Sequence, residues 1–140
     1  MKKILLLLTL LVSTVSFSQI LDPVDWSTSI EKISETEYDL VIKATIEPKW
    51  HLYSQTLDEG GPIATTFTFP ESENYTLVGK PTEDEGHSAP EPAFDNMLVK
   101  YFENEATFKQ RIKLNSTSSF SINAEVEYMV CDDSQCYCRV

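Results

Sequence analysis

The sequence predicts an all-β domain, an antiparallel β-sandwich of the immunoglobulin-like type, on three observations. Roughly seven or eight short strand patterns follow one another along the chain, each bounded by proline, glycine or polar turn residues. Several of them alternate between apolar and polar residues, which is the periodicity of a strand with one buried face. No stretch beyond the N-terminal region has a helical period of convincing length. A closed β-barrel would give the same periodicity and stays open as the competing architecture.

Each strand is justified by its alternation and by the residues that end it. The clearest alternation places Tyr38, Leu40 and Ile42 on one face, and the pattern ends before Pro48. A short aromatic segment follows at 50–53, with Trp50 expected in the core. The last strand carries apolar side chains at every second position. The predicted strands cover 24–30, 38–46, 65–69, 75–78, 97–102, 107–114 and 120–130.

Between the fourth and fifth of these strands, residues 81–96 are predicted to form a long acidic loop. The stretch contains three prolines and shows almost no β or helical period. A loop of this length in a small domain is more often functional than idle. Phe94 is its one large apolar side chain, and a disulfide at a neighbouring edge of the sandwich is a candidate for the surface on which it packs.

The N-terminus has the pattern of a secretory signal peptide over residues 1–18. Lys2 and Lys3 precede the apolar run 4–12, and small residues precede a predicted cleavage site ahead of Gln19. The apolar run is too short to span a bilayer. The sequence therefore predicts an exported, periplasmic domain over 19–140, with no membrane insertion after the signal is removed.

The charge of the chain limits its partners. The formal net charge is −11, and the predicted mature domain keeps nine basic residues against 22 acidic ones, giving −13. Such a surface repels nucleic acid and anionic membranes, so neither is expected as a partner. The same charge also serves simply to keep an exported domain soluble.

All three cysteines lie within eight residues at the end of the last predicted strand. Cys131 shares the odd-numbered face of that strand with two glutamates, so it is expected to point away from the core, towards solvent or a partner. Cys131 and Cys136 enclose a hairpin-sized loop, and facing residues of such a pair lie within disulfide reach. Cys136 and Cys138 on one extended strand would be about 6.5–7 Å apart, at or beyond that reach. We therefore expect a disulfide from Cys131 to Cys136, with Cys138 unpaired.

The neighbours of Cys131 favour a redox role for this disulfide. Asp132 and Asp133 disfavour a thiolate beside them, so the bond is better suited to being attacked than to starting exchange. Closing a short loop would constrain the unfolded chain little. The competing interpretation is a non-catalytic binding module in which the disulfide only holds a hairpin.

Metal binding and hydrolysis have weaker support. The set Cys131, Cys136, Cys138, His51 and His87 contains suitable ligand types, but its spacing matches no strong zinc pattern. No nucleophile elbow or phosphate-binding glycine loop is present in the sequence. We expect no metal and no cofactor.

Segments 126–136, 50–53 and 92–103 together resemble the N-terminal periplasmic domain of the DsbD family of thiol:disulfide interchange proteins. The resemblance implies an immunoglobulin-like fold with one redox-active pair, matched here by Cys131 and Cys136. It implies partners that are thioredoxin-like redox proteins, which exchange through transient mixed disulfides. Reducing equivalents would pass to oxidised periplasmic thiol proteins, such as disulfide isomerases or cytochrome c maturation factors. The chain would thus be a component of a thiol:disulfide oxidoreductase system.

The resemblance also suggests which side chains surround the disulfide. Phe94 best matches the aromatic residue of a loop that caps the active site until a partner docks. Tyr53, and more weakly His51, match positions that line the site. Cys138 departs from the family pattern as an extra thiol.

Overall fold

The computed structural model describes residues 22–140 as two antiparallel β-sheets packed face to face, which confirms the predicted sandwich. The predicted signal segment 1–18 lies outside the described residues. The strands are β1 (Val24–Lys32), β2 (Glu37–Ile46), β3 (His51–Tyr53), β4 (Thr66–Thr68), β5 (Tyr75–Glu83), β6 (His87–Glu91), β7 (Met97–Phe102), β8 (Glu105–Leu114), β9 (Glu125–Cys131) and β10 (Cys136–Arg139). A single 3₁₀ turn over Pro92–Phe94 stands between β6 and β7.

The first sheet has the order β1-β2-β8-β5, and the second has β10-β9-β3-β7-β6. The short β4 pairs with the beginning of β9, and β3 pairs with the end of β9. In the second sheet the last residues of β9 therefore lie between β10 and β3. This arrangement carries the C-terminal cysteines to one edge of the sandwich.

The core lies between the sheets and is built around Phe108 of β8, which is fully buried. The rings of Phe67 and Phe102 lie 5.0 and 5.7 Å from it, centroid to centroid. Leu52 and Val130 of the second sheet join the same cluster, and Trp50 is buried in it as predicted. Aromatic rings from both sheets thus fill the interior and fix how the second sheet lies on the first.

The prediction of a long loop over 81–96 is wrong. Strand β5 continues to Glu83, and β6 forms a regular antiparallel ladder with β7, in which Pro90 pairs with Leu98. Both proline-containing strands lie at sheet edges, where a missing N–H breaks no ladder. The prolines therefore exclude these segments from a sheet centre but not from a sheet.

The prediction of a strand from 120 is also wrong in its first half, because β9 begins only at Glu125. Phe120 and Ile122 lie in an irregular segment and pack on a second core cluster that contains Tyr75. The rings of Tyr75 and Phe120 stack with centroids 5.9 Å apart. The alternation reports that one side of the segment is buried, and an irregular segment can satisfy it without a ladder. Within residues 22–140, no helix has the length and apolarity needed to cross a membrane.

Candidate redox site

The site is a disulfide between Cys131 at the end of β9 and Cys136 at the start of β10. The two residues face each other in the ladder, with Cα atoms 4.1 Å apart, and the predicted bond is present. The turn 132–135 that joins them is held by Asp132, whose Oδ1 accepts from the N–H groups of Ser134 at 2.7 Å and Gln135 at 2.9 Å. These hydrogen bonds lower the pKa of Asp132, chiefly through the Ser134 N–H. The turn is thereby organised independently of the sulfur atoms.

The two cysteines differ sharply in exposure. Cys136 is exposed, whereas Cys131 is only 2 % exposed, so the expectation that Cys131 faces solvent is wrong. Its side chain does leave the inter-sheet core, as the parity of β9 requires. It enters a smaller cluster on the outer face of the second sheet, with Tyr53 and Val99 fully or nearly buried beside it. Partly buried side chains at the margin of this cluster are Leu57, Met97, Tyr101 and Met129.

A polar network borders this cluster. The Tyr53 hydroxyl donates to Glu91 Oε2 at 3.0 Å, and His51 Nε2 lies 3.2 Å from the same Oε2 and 3.2 Å from the Tyr53 hydroxyl oxygen. Burial and the bond to Glu91 raise the pKa of Tyr53 well above its usual range, which keeps the hydroxyl a donor. His51 is the ladder partner of Cys131, so the network stands directly beside the disulfide.

Phe94 contacts Tyr53 of this network from the 3₁₀ turn between β6 and β7. Its ring meets that of Tyr53 edge-on, with centroids 6.3 Å apart. Glu91 caps the 3₁₀ turn through Oε1, which accepts from the Ala93 N–H at 3.3 Å. Asp95 and Asn96 follow with positive φ, and the Asn96 N–H returns to the Glu91 carbonyl at 3.0 Å. The Phe94 ring therefore contacts Tyr53, which belongs to the same buried cluster as Cys131.

The structure brings together Cys131, Cys136, His51, Tyr53 and Phe94, the five residues named from the sequence. It adds Glu91, which sequence reasoning missed. The only signal was a lone carboxylate beside the prolines that precede Phe94, and its partners lie 38 and 40 residues away in the chain.

The remaining ligand-type side chains are placed differently. Cys138 is an exposed free thiol on the same face as Cys136, opposite Met129 in the ladder. His87 contacts Tyr101, with ring centroids 6.0 Å apart. Across residues 22–140, no three His, Cys, Asp or Glu side chains converge as a metal ion would require.

The chain is thus an immunoglobulin-like sandwich that carries a disulfide on an edge hairpin, with Cys136 exposed and Cys131 enclosed. The sequence profile described as "Thiol:disulfide interchange protein DsbD, N-terminal" matches residues 19–139, and the chain belongs to this family. The resemblance stated from the sequence is thereby confirmed. None of the curated proteins matches the chain.

Among the solved structures that share the fold are two N-terminal domains. The N-terminal domain of DsbD from Neisseria meningitidis, in the reduced form, aligns with a TM-score of 0.53 and 13% identity, over 84% of this chain and 82% of that one. The N-terminal periplasmic domain of ScsB from Proteus mirabilis aligns with a TM-score of 0.57 and 20% identity. That alignment covers 85% of this chain but only 44% of the ScsB chain. At these identities, the likeness establishes the common fold.

Proposed function

We propose that this domain carries reducing equivalents between thioredoxin-like proteins and oxidised thiol proteins, by cycling Cys131 and Cys136 between disulfide and dithiol. The observation that carries the proposal is the asymmetry of the pair, in which an exposed Cys136 is bonded to an enclosed Cys131. Family membership supports the reaction class. The periplasm is the proposed location, supported by the ScsB domain described as periplasmic and by the predicted signal peptide.

The exposed sulfur is the one that a partner would attack. In the reductive half-reaction, a partner thiolate attacks Cys136 Sγ, a mixed disulfide forms, and the bond to Cys131 breaks. Cys131 leaves with the electron pair and takes up a proton. The partner's second thiolate then attacks the partner's own sulfur in the mixed disulfide, and Cys136 leaves as a thiolate. The partner is oxidised by two electrons and the domain is reduced by two.

The second half-reaction reverses these roles towards an oxidised acceptor. The Cys136 thiolate attacks the acceptor disulfide and displaces one acceptor thiolate. Cys131 then loses the proton that it took up, its thiolate attacks Cys136 Sγ, and the second acceptor sulfur leaves as a thiolate, which restores the original disulfide and releases the acceptor as a dithiol once its thiolates take up protons. The two cysteines thus have different roles. Cys136 forms the mixed disulfide with the partner, and Cys131 resolves that mixed disulfide.

The burial of Cys131 favours a second candidate, a binding module whose disulfide only holds the β9–β10 hairpin. The equilibrium potential of the pair against glutathione separates the two. A structural disulfide lies below about −300 mV, and an exchange site lies above it. A value below that limit would refute the exchange function.

Trapping with cysteine variants tests the assignment of the attacked sulfur. Cys131→Ser leaves Cys136 free to form mixed disulfides that cannot be resolved by Cys131. It should accumulate adducts with a thioredoxin-like protein in which the resolving cysteine is also replaced. Cys136→Ser is the matched variant. With both variants made in a Cys138→Ser background, so that the exposed Cys138 thiol forms no adducts, it should give far fewer adducts. Equal or reversed yields would overturn the assignment.

A further inference from the structure

The carboxylate of Glu91 connects the 3₁₀ turn that carries Phe94 to Tyr53, which lies in the cluster with Cys131. Oε1 accepts from the Ala93 N–H of the turn, and Oε2 accepts from the Tyr53 hydroxyl. The Glu91 side chain is 14 % exposed, and its hydrogen bond to Tyr53 is part-buried, whereas the bond from the Ala93 N–H lies at the exposed side of the turn. The residue also belongs to β6, where it is the ladder partner of Met97.

The burial of Cys131 affects how readily its sulfur leaves during the exchange reaction. When a thiolate attacks Cys136, Cys131 must leave as an anion inside an apolar cluster with Tyr53 and Val99. Burial among apolar groups raises the pKa of a thiol, and a leaving thiol with a higher pKa leaves more slowly. Reduction should therefore be slow while the cluster stays dry and faster once water reaches Cys131.

We propose that Glu91 is a positioning residue that latches the turn carrying Phe94 onto Tyr53 and so keeps Cys131 dehydrated until a redox partner docks. This rests on the proposed exchange function and specifies how its site discriminates among reductants. Glu91 Oε1 holds the turn through the Ala93 N–H, and Glu91 Oε2 holds the Tyr53 hydroxyl. Phe94 then lies on Tyr53, and Tyr53 lies beside Cys131. A docking protein that displaces the turn admits water to the leaving sulfur.

The latch is tested by following how fast the disulfide of the intact domain is reduced by dithiothreitol, using acid quench, alkylation and mass spectrometry. Glu91→Gln keeps the size of the side chain but loses one acceptor oxygen. It should speed reduction about three- to tenfold, the factor expected when one hydrogen bond is lost. Asp95→Asn is the matched control, since it removes one charge from the same turn at an exposed position. It should leave the rate unchanged.

Two further measurements separate a latch from general weakening. Reduced thioredoxin displaces the turn itself. In Glu91→Gln, the rate of reduction by thioredoxin should therefore change less than the rate of reduction by dithiothreitol, and the thioredoxin rate divided by the dithiothreitol rate should fall relative to the parent domain. Combining Glu91→Gln with Phe94→Ala should add nothing to the faster single variant, because both act on one turn. If Glu91→Gln fails to fold, Tyr53→Phe removes the donor and keeps the ring, and it should give the same acceleration.

A dithiothreitol rate equal to that of the parent domain in both Glu91→Gln and Tyr53→Phe would overturn the latch. Equal acceleration with dithiothreitol and thioredoxin would also overturn it. The exchange function would survive both results if the potential of the parent pair lies above the structural limit. Conversely, a potential below that limit would refute exchange, whatever the Glu91 variants do.

Discussion

Tyr137 of β10 packs against Trp50, with ring centroids 5.6 Å apart, on the side of the sheet opposite the disulfide. Trp50 is buried in the main core, and Tyr137 packs against the same cluster. The strand that carries Cys136 is therefore anchored by aromatic contacts and by its ladder with β9, as well as by the sulfur bond. The anchor determines how the domain responds to reduction.

Reduction of the disulfide should leave the domain folded. Because the bond closes a loop of only a few residues, breaking it should lower the free energy of unfolding by at most about 2 kcal/mol. Urea denaturation with and without dithiothreitol measures the difference. Tyr137→Ala in the oxidised domain tests the anchor and should cost at least a comparable amount. Unfolding on reduction alone would contradict the prediction.

Phe94→Ala should speed reduction by small thiols. The substitution removes the edge-on contact with Tyr53, and aromatic pairs of this kind correspond to a factor of about two to ten. Leu98→Ala is a suitable control, since Leu98 is 66% exposed and projects from the face of β7 opposite to that of Val99, which packs beside Cys131. The dithiothreitol rate is the measurement. Unchanged kinetics in Phe94→Ala would exclude this ring from the enclosure of Cys131.

Asp132→Ala should make the potential of the pair less negative by about 10–30 mV. The Asp132 carboxylate accepts two N–H groups of the turn that keeps the sulfurs together, and losing it costs about 0.5–1.5 kcal/mol of that preference. Equilibration with glutathione gives the value. Asp132→Asn keeps an acceptor oxygen and should shift the potential less. Asp133→Ala removes the same charge from an exposed neighbour, so a shift equal to that of Asp132→Ala would assign the effect to charge alone.

Glu83→Gln should destabilise the domain by about 1–3 kcal/mol at neutral pH. Burial would by itself raise the pKa of Glu83, but donors from Ser54, Gln55 and Lys100 outweigh it and lower the pKa below 4.5. The carboxylate lies on β5 and Lys100 on β7, so their 2.9 Å ion pair joins the two sheets.

The pH dependence of this effect follows from the lowered pKa. The contribution of Glu83 is present above pH 4.5, the value for the unfolded chain, and is lost as the pH falls through the lower pKa of the folded state. The gap in urea stability between the parent and Glu83→Gln should therefore narrow in acid. The exposed Glu85→Gln is the matched control. A gap that stays constant down to pH 3 would contradict a carboxylate role.

The architecture could be predicted because its signals are local. Alternation located β2, and the hairpin spacing of Cys131 and Cys136 predicted their bond before any fold was known. Strand β6 was missed because Pro90 reads as a loop signal unless the strand is known to lie at an edge. The last strand was predicted to begin at Phe120, but it begins at Glu125. Alternation around Phe120 shows only that one side of the segment is buried, and irregular segments can also bury one side.

The surroundings of the disulfide were less predictable because they depend on distant residues. The parity of β9 placed Cys131 correctly on the outer face, but the side chains that cover it come from β3 and β7. Glu91 acquires its role only when β6 lies on β7 and brings it to Tyr53. No pattern of spacing within one segment contains that information.

Successive positions of β9 serve opposite sides of one sheet. Tyr128 and Val130 belong to the interior cluster, while Met129 and Cys131 belong to the reactive face. Side chains that stabilise the core therefore alternate along β9 with side chains that surround the disulfide, and each set can be changed without the other. Substitutions at odd positions could retune reactivity towards a new reductant without disturbing the aromatic interior. Side chains on the outer face of this strand can therefore change the surroundings of Cys131 while the aromatic interior stays the same.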